Sequence, residues 1–266
     1  MTDFTTGVST TGSGALVGLV LGLVGGGGSI LAVPLLVYAV GVASPHIAIG
    51  TSAIAVSLSA LGNVVSHARA GNVNWRCAAV FAAAGVVGAF GGSAAAKSLD
   101  GQKLLALFGV LMIVVGVSML RKRSAAGNPD VRLSTATARE LLPLLLGIGF
   151  AVGLLSGFFG IGGGFLIVPG LMLATGMPLI LAIGTSLVAV VAFGAATAAS
   201  YAFSGLIDWP LAGLFILGGL LGGIAGVAFG KVLSARKQVL NLTFAGLVIA
   251  VGLYVVVRGM LSLAAA

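Results

Sequence analysis

Two glycine-rich segments, GGGGSILAVP at residues 25–34 and GIGGGFLIVP at residues 160–169, decide how this chain folds. Each segment lies inside an apolar stretch and ends at a proline. The apolar stretch at 141–175 would form a helix about 52 Å long at about 1.5 Å per residue, whereas the hydrocarbon core of a bilayer is about 30 Å thick. We therefore expect both glycine clusters, 25–28 and 160–164, to lie outside any helix and close together near mid-membrane.

The similarity between these segments extends outward into a duplication of the whole chain. GTSAIAV at 50–56 matches GTSLVAV at 184–190, and GNVNW at 71–75 matches GLIDW at 205–209. Helix-end lysines that we interpret as loop charges also recur at matching positions, namely Lys97 with Lys231 and Lys103 with Lys237. We divide the sequence into a first repeat at 1–120, a polar basic linker at 121–140 and a second repeat at 141–266.

The composition predicts that both repeats lie in a membrane. Apolar residues fill 59% of the 266 positions and charged residues only 7%, too few charges to cover a soluble domain. The net charge of +8 falls in short clusters without interleaved aromatic residues, so we expect no nucleic acid partner. Most of the apolar stretches have about the 20 residues that a spanning helix needs. These stretches are 14–40, 46–68, 77–96, 104–120, 141–175, 179–203, 209–230 and 238–257.

The predicted fold is an all-α membrane protein, a polytopic helical bundle of two homologous halves. Each half has a glycine-broken first element followed by three transmembrane helices. The broken element either crosses as a discontinuous span, which puts eight of the 13 Lys and Arg residues on one side, or returns as a re-entrant hairpin, which puts ten there. The positive-inside rule favours the hairpin, inverted repeats, both termini outside and the central linker in the cytoplasm.

Helix ends at the two breaks and a stripe of hydroxyl groups are the candidate lining of a site. The arms at 29–40 and 164–175 would point free amide groups and positive dipole ends at one centre, which favours an anion. Polar residues on the next helix share one face and largely recur in the second half. The candidate substrate-binding residues are Gly27, Gly28, Ser29, Thr51, Ser52, Asn63, Ser66, His67, Gly162, Gly163, Gly164, Thr185, Ser186, Thr197, Ser200 and Tyr201.

Two alternative roles for these residues stay open. The glycines could serve only close helix packing, and Ser or Thr hydroxyls could bond to the preceding turn of their own helix. His67 differs from its counterpart Tyr201, so the repeats differ where a transporter would need direction or control by protonation.

Several classes of function are disfavoured by what the apolar stretches lack. No Asp or Glu lies within a span, which disfavours a cation pump. No zinc-protease, P-loop or serine-hydrolase motif occurs, so we expect a non-enzyme without catalytic residues, metal or cofactor. The hypothesis is a secondary transporter for a small anion in a lipid bilayer, with a homodimer left open. The alternatives are an anion-selective channel and, with less support, an intramembrane enzyme.

The doubled motifs resemble the sulfite exporter TauE/SafE family over about residues 14–257. The resemblance rests on the two glycine segments with their prolines, on AIGTS at 48–52 and 182–186, and on the Gly-x-x-x-Trp motifs that end at Trp75 and Trp209. It implies a multi-pass protein of the cytoplasmic (inner) membrane that exports small sulfur-containing anions such as sulfite or organosulfonates. Gly26 departs from the pattern, because the second segment has Ile161 at that position.

Overall fold

A computed structural model of the chain describes residues 4–120, 137–160, 162, 164–232 and 237–264. Within these ranges the chain forms ten helices and no strand. The linker at 121–136 and the candidate residue Gly163 lie outside the described residues. The helices are α1 (Phe4–Val24), α2 (residues 25–39), α3 (Pro45–Arg69), α4 (Trp75–Lys97), α5 (Gly101–Leu120), α6 (Ala138–Phe159), α7 (Gly164–Thr175), α8 (Leu179–Ala202), α9 (Trp209–Val232) and α10 (Lys237–Ala264).

The expected all-helical membrane fold is confirmed. Eight helices of the described chain are long and apolar enough to span a membrane, and α2 and α7 are shorter apolar helices. The first arm, α1, has 21 residues and begins at Phe4, ten residues before the apolar stretch that we assigned to it. In its polar start, hydroxyl groups are satisfied by carbonyl groups of the preceding turn: Thr10 Oγ1 donates to Thr6 O at 2.6 Å and Thr11 Oγ1 to Gly7 O at 3.0 Å.

The first glycine cluster is helical, so the expectation that it lies outside any helix is wrong. A 3₁₀ helix at Gly25–Leu31 follows α1 directly, and an α turn at Ala32–Pro34 and a π-helical turn at Leu35–Ala39 complete α2. Glycines carry no Cβ and accept the tighter 3₁₀ winding without side-chain crowding. Pro34 has no N–H to donate, and the wider π turn begins immediately after it.

The second glycine cluster is a break of the kind that the sequence predicts. Gly160 ends α6 in the left-handed conformation with φ of 66°, and Gly162 also has φ of 66°. Left-handed backbone costs little only for glycine. The arm α7 then runs from Gly164 to Thr175, which matches the arm expected at 164–175.

Each broken element folds back on itself as a hairpin. A Cβ built on Gly28 would lie 2.9 Å from Val17 O, although 11 residues of straight helix would separate these positions by about 16 Å. In the second half, a Cβ on Gly170 would lie 3.2 Å from side-chain atoms of Ile148 and Val152. Both α2 and α7 therefore pack back along the helix that precedes them.

The two halves interlock and do not form separate bodies. α1 packs most extensively against α9 of the other half, and α6 packs in the same way against α4. α5 contacts α10, and α3 contacts α8, so each of these helices meets its own counterpart. The two sequence repeats are consequently one packing unit.

Glycine seams allow the closest of these contacts. A Cβ on Gly14 or Gly18 of α1 would overlap backbone atoms of Phe215 or Gly219 in α9. The matching seam joins α6 to α4, where a Cβ at position 153 or 157 would overlap the backbone at 85 or 89. Helices can approach to backbone contact only where both surfaces are small. The equivalent positions of the two seams extend the duplication from sequence to packing.

We predict that Gly18→Ala destabilises the protein, whereas Gly12→Ala does not. The added methyl group at Gly18 meets the backbone of Gly219, which cannot rotate away, while no atom of the described residues lies within 4 Å of a Cβ at Gly12. We expect a loss of about 1–3 kcal/mol for the overpacked variant. Thermal unfolding of the purified proteins in detergent measures the difference. Equal unfolding midpoints for both variants would contradict a packed seam at α1 and α9.

Candidate functional site

The candidate site lies where α3 and α8 cross at the centre of the interlocked halves. The start of each helix lies beside the segment that follows the other, since a Cβ on Gly50 would meet Leu206 O and one on Gly184 would meet Asn72 O. The two helices therefore run in opposite directions. At their crossing, Ser57 Oγ donates to Val191 O at 2.8 Å, which joins two positions that correspond in the duplication.

The second glycine break reaches this crossing. Gly162 is buried, and a Cβ there would lie 3.2 Å from Val56 Cγ1 and 3.6 Å from Val190 Cγ1, the matching residues of α3 and α8. The 3₁₀ turn Gly25–Leu31 packs against both α7 and α8. The two glycine segments are thus neighbours at one centre, as the sequence predicts, together with the buried start of α7 at Gly164.

Two serines of α3 and α8 occupy equivalent positions and are fully buried. Ser52 Oγ donates to Ile49 O at 3.0 Å, and it lies 3.5 Å from Gly160 O at the break. Ser186 Oγ donates to Ile183 O at 2.7 Å. Each hydroxyl hydrogen therefore bonds to the serine's own helix, which was the alternative left open for these side chains. A serine hydroxyl can rotate about its Cβ–Oγ bond, so a stronger acceptor can recruit the same hydrogen.

The neighbouring threonines connect the two halves. Thr51 Oγ1 accepts a hydrogen bond from Asp208 N at 3.1 Å, and Thr185 Oγ1 accepts one from Asn74 N at 3.0 Å. Asp208 and Asn74 are also the residues whose side chains accept from the first turns of α9 and α4. These matched bonds tie the start of α3 and α8 to the loop of the opposite half, a role that the sequence did not suggest.

The remaining candidate residues of α3 and α8 lie toward the ends of these two helices. Asn63 and its counterpart Thr197 are buried, and Asn63 Nδ2 and Thr197 Oγ1 have no hydrogen-bond partner among the described residues. One turn further, His67 Nδ1 and Tyr201 OH likewise find no partner in the described part of the chain, while Ser66 is exposed. Buried polar atoms without a protein partner are uncommon, and water or a ligand can complete their hydrogen bonding. Ser29, Gly28 and Ser200 are buried as well.

Lys97 contributes to this region, although the sequence suggested only a loop charge. It is half-buried at the end of α4, and its Nζ donates to Ser200 O at 3.0 Å, to Ser200 Oγ at 3.1 Å and to Ser204 Oγ at 2.9 Å. The ammonium group also lies 5.7 Å from the ring centroid of Tyr201. A cation at the carboxyl end of α8 is favoured by the helix dipole. Lys97 therefore joins the first half to the end of α8, and its match with Lys231 was the sequence signal that could have revealed it.

Comparison with known proteins places the chain among membrane transporters. The family model described as "Sulfite exporter TauE/SafE" matches residues 11–255. A "Probable membrane transporter protein" of Xylella fastidiosa (strain Temecula1 / ATCC 700964) is 51% identical and covers 97% of this chain and 98% of its own length. The "Probable membrane transporter protein YunE" of Bacillus subtilis (strain 168) is 27% identical, covering 94% of this chain and 97% of its own. No solved structure matches significantly.

We predict that Lys97→Met lowers stability more than Lys103→Met. The first variant removes three hydrogen bonds from a cation, and bonds of that kind contribute about 1.5–3 kcal/mol each when desolvated, less at a partly exposed site. Lys103 is exposed and serves as the matched control on the next helix. The midpoint of thermal unfolding in detergent is the measurement. Indistinguishable midpoints for the two variants would show that the Lys97 bonds do not hold α4 to α8.

Proposed function

Because the chain belongs to the sulfite exporter TauE/SafE family, we propose that it is a secondary transporter that exports small sulfur-containing anions, such as sulfite or organosulfonates. It is a multi-pass membrane protein of a transporter family. The proposal places it in the cytoplasmic (inner) membrane. The anion would bind at the centre of the interlocked halves.

One observation carries this proposal: both glycine-broken hairpins meet where α3 crosses α8. Irregular backbone at membrane depth is tolerated where protein buries it or where it lines a cavity, and transporters use broken helices to bind substrate. The buried start of α7 supplies amide groups and the positive end of a helix dipole. Ser52 and Ser186 add two hydroxyl groups at equivalent positions.

The charges of the chain support an anion as the substrate. No Asp or Glu occurs in any of the apolar stretches of the sequence, and Asp100, Glu140 and Asp208 lie at helix ends, so none of these carboxylates is available inside a span to bind a cation. The donors near the centre are amides and hydroxyls, which bind oxyanions without a buried cation. A small oxyanion with several acceptor oxygens fits this donor set better than a neutral solute.

We also propose that the two halves are inverted repeats. The opposite directions of α3 and α8, which correspond in the duplication, support this arrangement. The fold-back of α1 with α2, and of α6 with α7, supports an odd number of crossings per half. Alternating access would then exchange the roles of the two halves around the central site.

Reconstitution into proteoliposomes tests the proposed activity. We expect saturable uptake and counterflow of sulfite or an organosulfonate, with sulfate, taurine and carboxylate analogues as the comparison panel. Flux that rises in proportion to concentration and voltage would identify an anion channel. Chemical conversion of the solute, abolished by a serine substitution, would identify an intramembrane enzyme.

We predict that Ser52→Ala combined with Ser186→Ala raises the dissociation constant of the transported anion at least tenfold. A hydrogen bond to a charged group contributes about 1.5–3 kcal/mol, and the variant removes two potential donors. Ser93→Ala is the matched control, because Ser93 is equally buried and donates to Phe90 O at 2.9 Å in the same local pattern, but lies on α4. Isothermal titration with purified protein gives the constants.

A second pair of variants separates the site from the fold. Gly162→Ala and Gly176→Ala place a side chain on backbone with nearly the same φ, 66° and 69°, but only Gly162 faces α3 and α8. Loss of anion binding in Gly162→Ala alone agrees with a central site. Unchanged affinity in the double serine variant, at normal protein levels, would move the site elsewhere and leave the serines as packing residues.

The proposed topology predicts the labelling of single cysteines. In a Cys77→Ser background, Ser124→Cys should react with a membrane-impermeant maleimide only after the cells are permeabilised, because ten of 13 basic residues fall on the side of the linker. Thr2→Cys should react in intact cells. The reverse pattern of labelling would place the termini inside and would contradict the proposed orientation.

A further inference from the structure

A groove on the outer surface of the bundle lies between α1, α2 and α10. Its volume is about 290 Å³, and apolar side chains form most of its wall. Leu16 comes from α1, Leu31 and Leu35 from α2, and Leu247 and Val251 from α10. The groove is therefore a place where an apolar chain can lie against the protein, and it is too apolar for a free oxyanion.

One end of the groove is polar. Tyr38 of α2 and Tyr254 of α10 line it and pack edge to face with ring centroids 5.2 Å apart. Arg258 follows Tyr254 by one helical turn, donates from Nε to Tyr254 OH at 3.3 Å and lies over its ring. Arg258 is exposed, so the other donors of its guanidinium group can reach a ligand.

This polar end lies where the helices approach the membrane surface. Arg258 is close to the end of the apolar part of α10, which runs from Leu242 to Leu261, and Tyr38 is one residue from the end of α2. Tyrosine and arginine are typical of the lipid headgroup level, where one end of the side chain is apolar and the other is hydrated. The groove thus leads from headgroup level toward the hydrocarbon region.

The equivalent place in the duplication, between α6, α7 and α5, lacks these polar side chains. Leu173 stands at the position that corresponds to Tyr38, Leu120 at that of Tyr254, and Ser124 at that of Arg258. The tyrosines and the arginine are therefore not required by the duplicated fold. They mark a feature to which both halves contribute and which the duplication does not repeat at the equivalent place.

We propose that this groove binds an anionic glycerophospholipid, with one acyl chain along α1, α2 and α10 and the phosphate group on Arg258. Charge complementarity selects this occupant, because the exposed guanidinium group pairs with a phosphate in a bidentate manner while the apolar wall takes the chain. A second copy of this protein would instead have to bring an acidic side chain to headgroup level, where the sequence offers few. The inference is independent of the transported substrate.

Native mass spectrometry of the delipidated protein tests the proposal with two probes, dioleoyl phosphatidylglycerol and dioleoyl phosphatidylcholine. We expect the wild type to retain one phosphatidylglycerol molecule at a concentration about tenfold lower than phosphatidylcholine. Arg258→Gln should remove this preference, whereas Arg69→Gln, at another exposed arginine near a helix end, should keep it. Leu35→Trp, which fills the groove and leaves the charge, should weaken the retention of both lipids.

Three outcomes would overturn the proposal. Equal retention of the two lipids by the wild type would show that the headgroup is not recognised. A preference that survives Arg258→Gln, an exposed site where the substitution should not disturb folding, would place the lipid elsewhere. Retention of a second copy of the chain that prevents lipid binding would identify the groove as a protein interface.

Discussion

Backbone-to-backbone contact at glycines is the interaction on which the rest of the structure depends. In lipid there is little hydrophobic force between apolar helices, so their association relies on close van der Waals packing. The seams between α1 and α9, and between α4 and α6, supply that packing because each contact has a glycine, which carries no Cβ, on at least one of the two surfaces. Each seam joins a helix of one half to a helix of the other. Several of the 44 glycines of the chain therefore serve the interlocking of the halves.

The way in which the two halves interlock determines which segments of the chain lie at the centre of the bundle. α1 and α6 each pack against a helix of the opposite half. The helices that fold back along them, α2 and α7, therefore lie on the inner side and contact α3 and α8. The break at Gly160 and Gly162 can lie at the crossing because Val56 and Val190 leave room for a residue without a side chain. Thr51 and Thr185 then fasten each crossing helix to the loop of the other half. Packing, hydrogen bonding and the candidate site thus share the same few residues.

Sequence reasoning predicted the helical fold, the duplication and the second break, because each depends on local pattern and length. The bounds of α7 agree with the expected arm at 164–175. It failed at 25–31, where four successive glycines wind into a 3₁₀ helix, and at the start of α1, where hydroxyl-rich residues lower hydropathy but remain helical. It also missed the bonds of Lys97, because the acceptors at Ser200 and Ser204 come from the other half. Packing between the halves decides which atoms face each other. The sequence of a single segment does not contain this information.

On α3 and α8, the matched and the divergent candidate residues lie in different parts of the helices. In the first half of each helix, Ser52 and Ser186, Thr51 and Thr185, and Val56 and Val190 are matched pairs. Toward the helix ends the pairs diverge, as at His67 and Tyr201. In the proposed transport cycle, the matched donors would bind the anion with equal strength in either orientation. A ligand that binds two states equally cannot shift the balance between them. The preference for one state would therefore come from the divergent ends, where Lys97, Tyr201 and His67 lie, and direction would be a property of those ends.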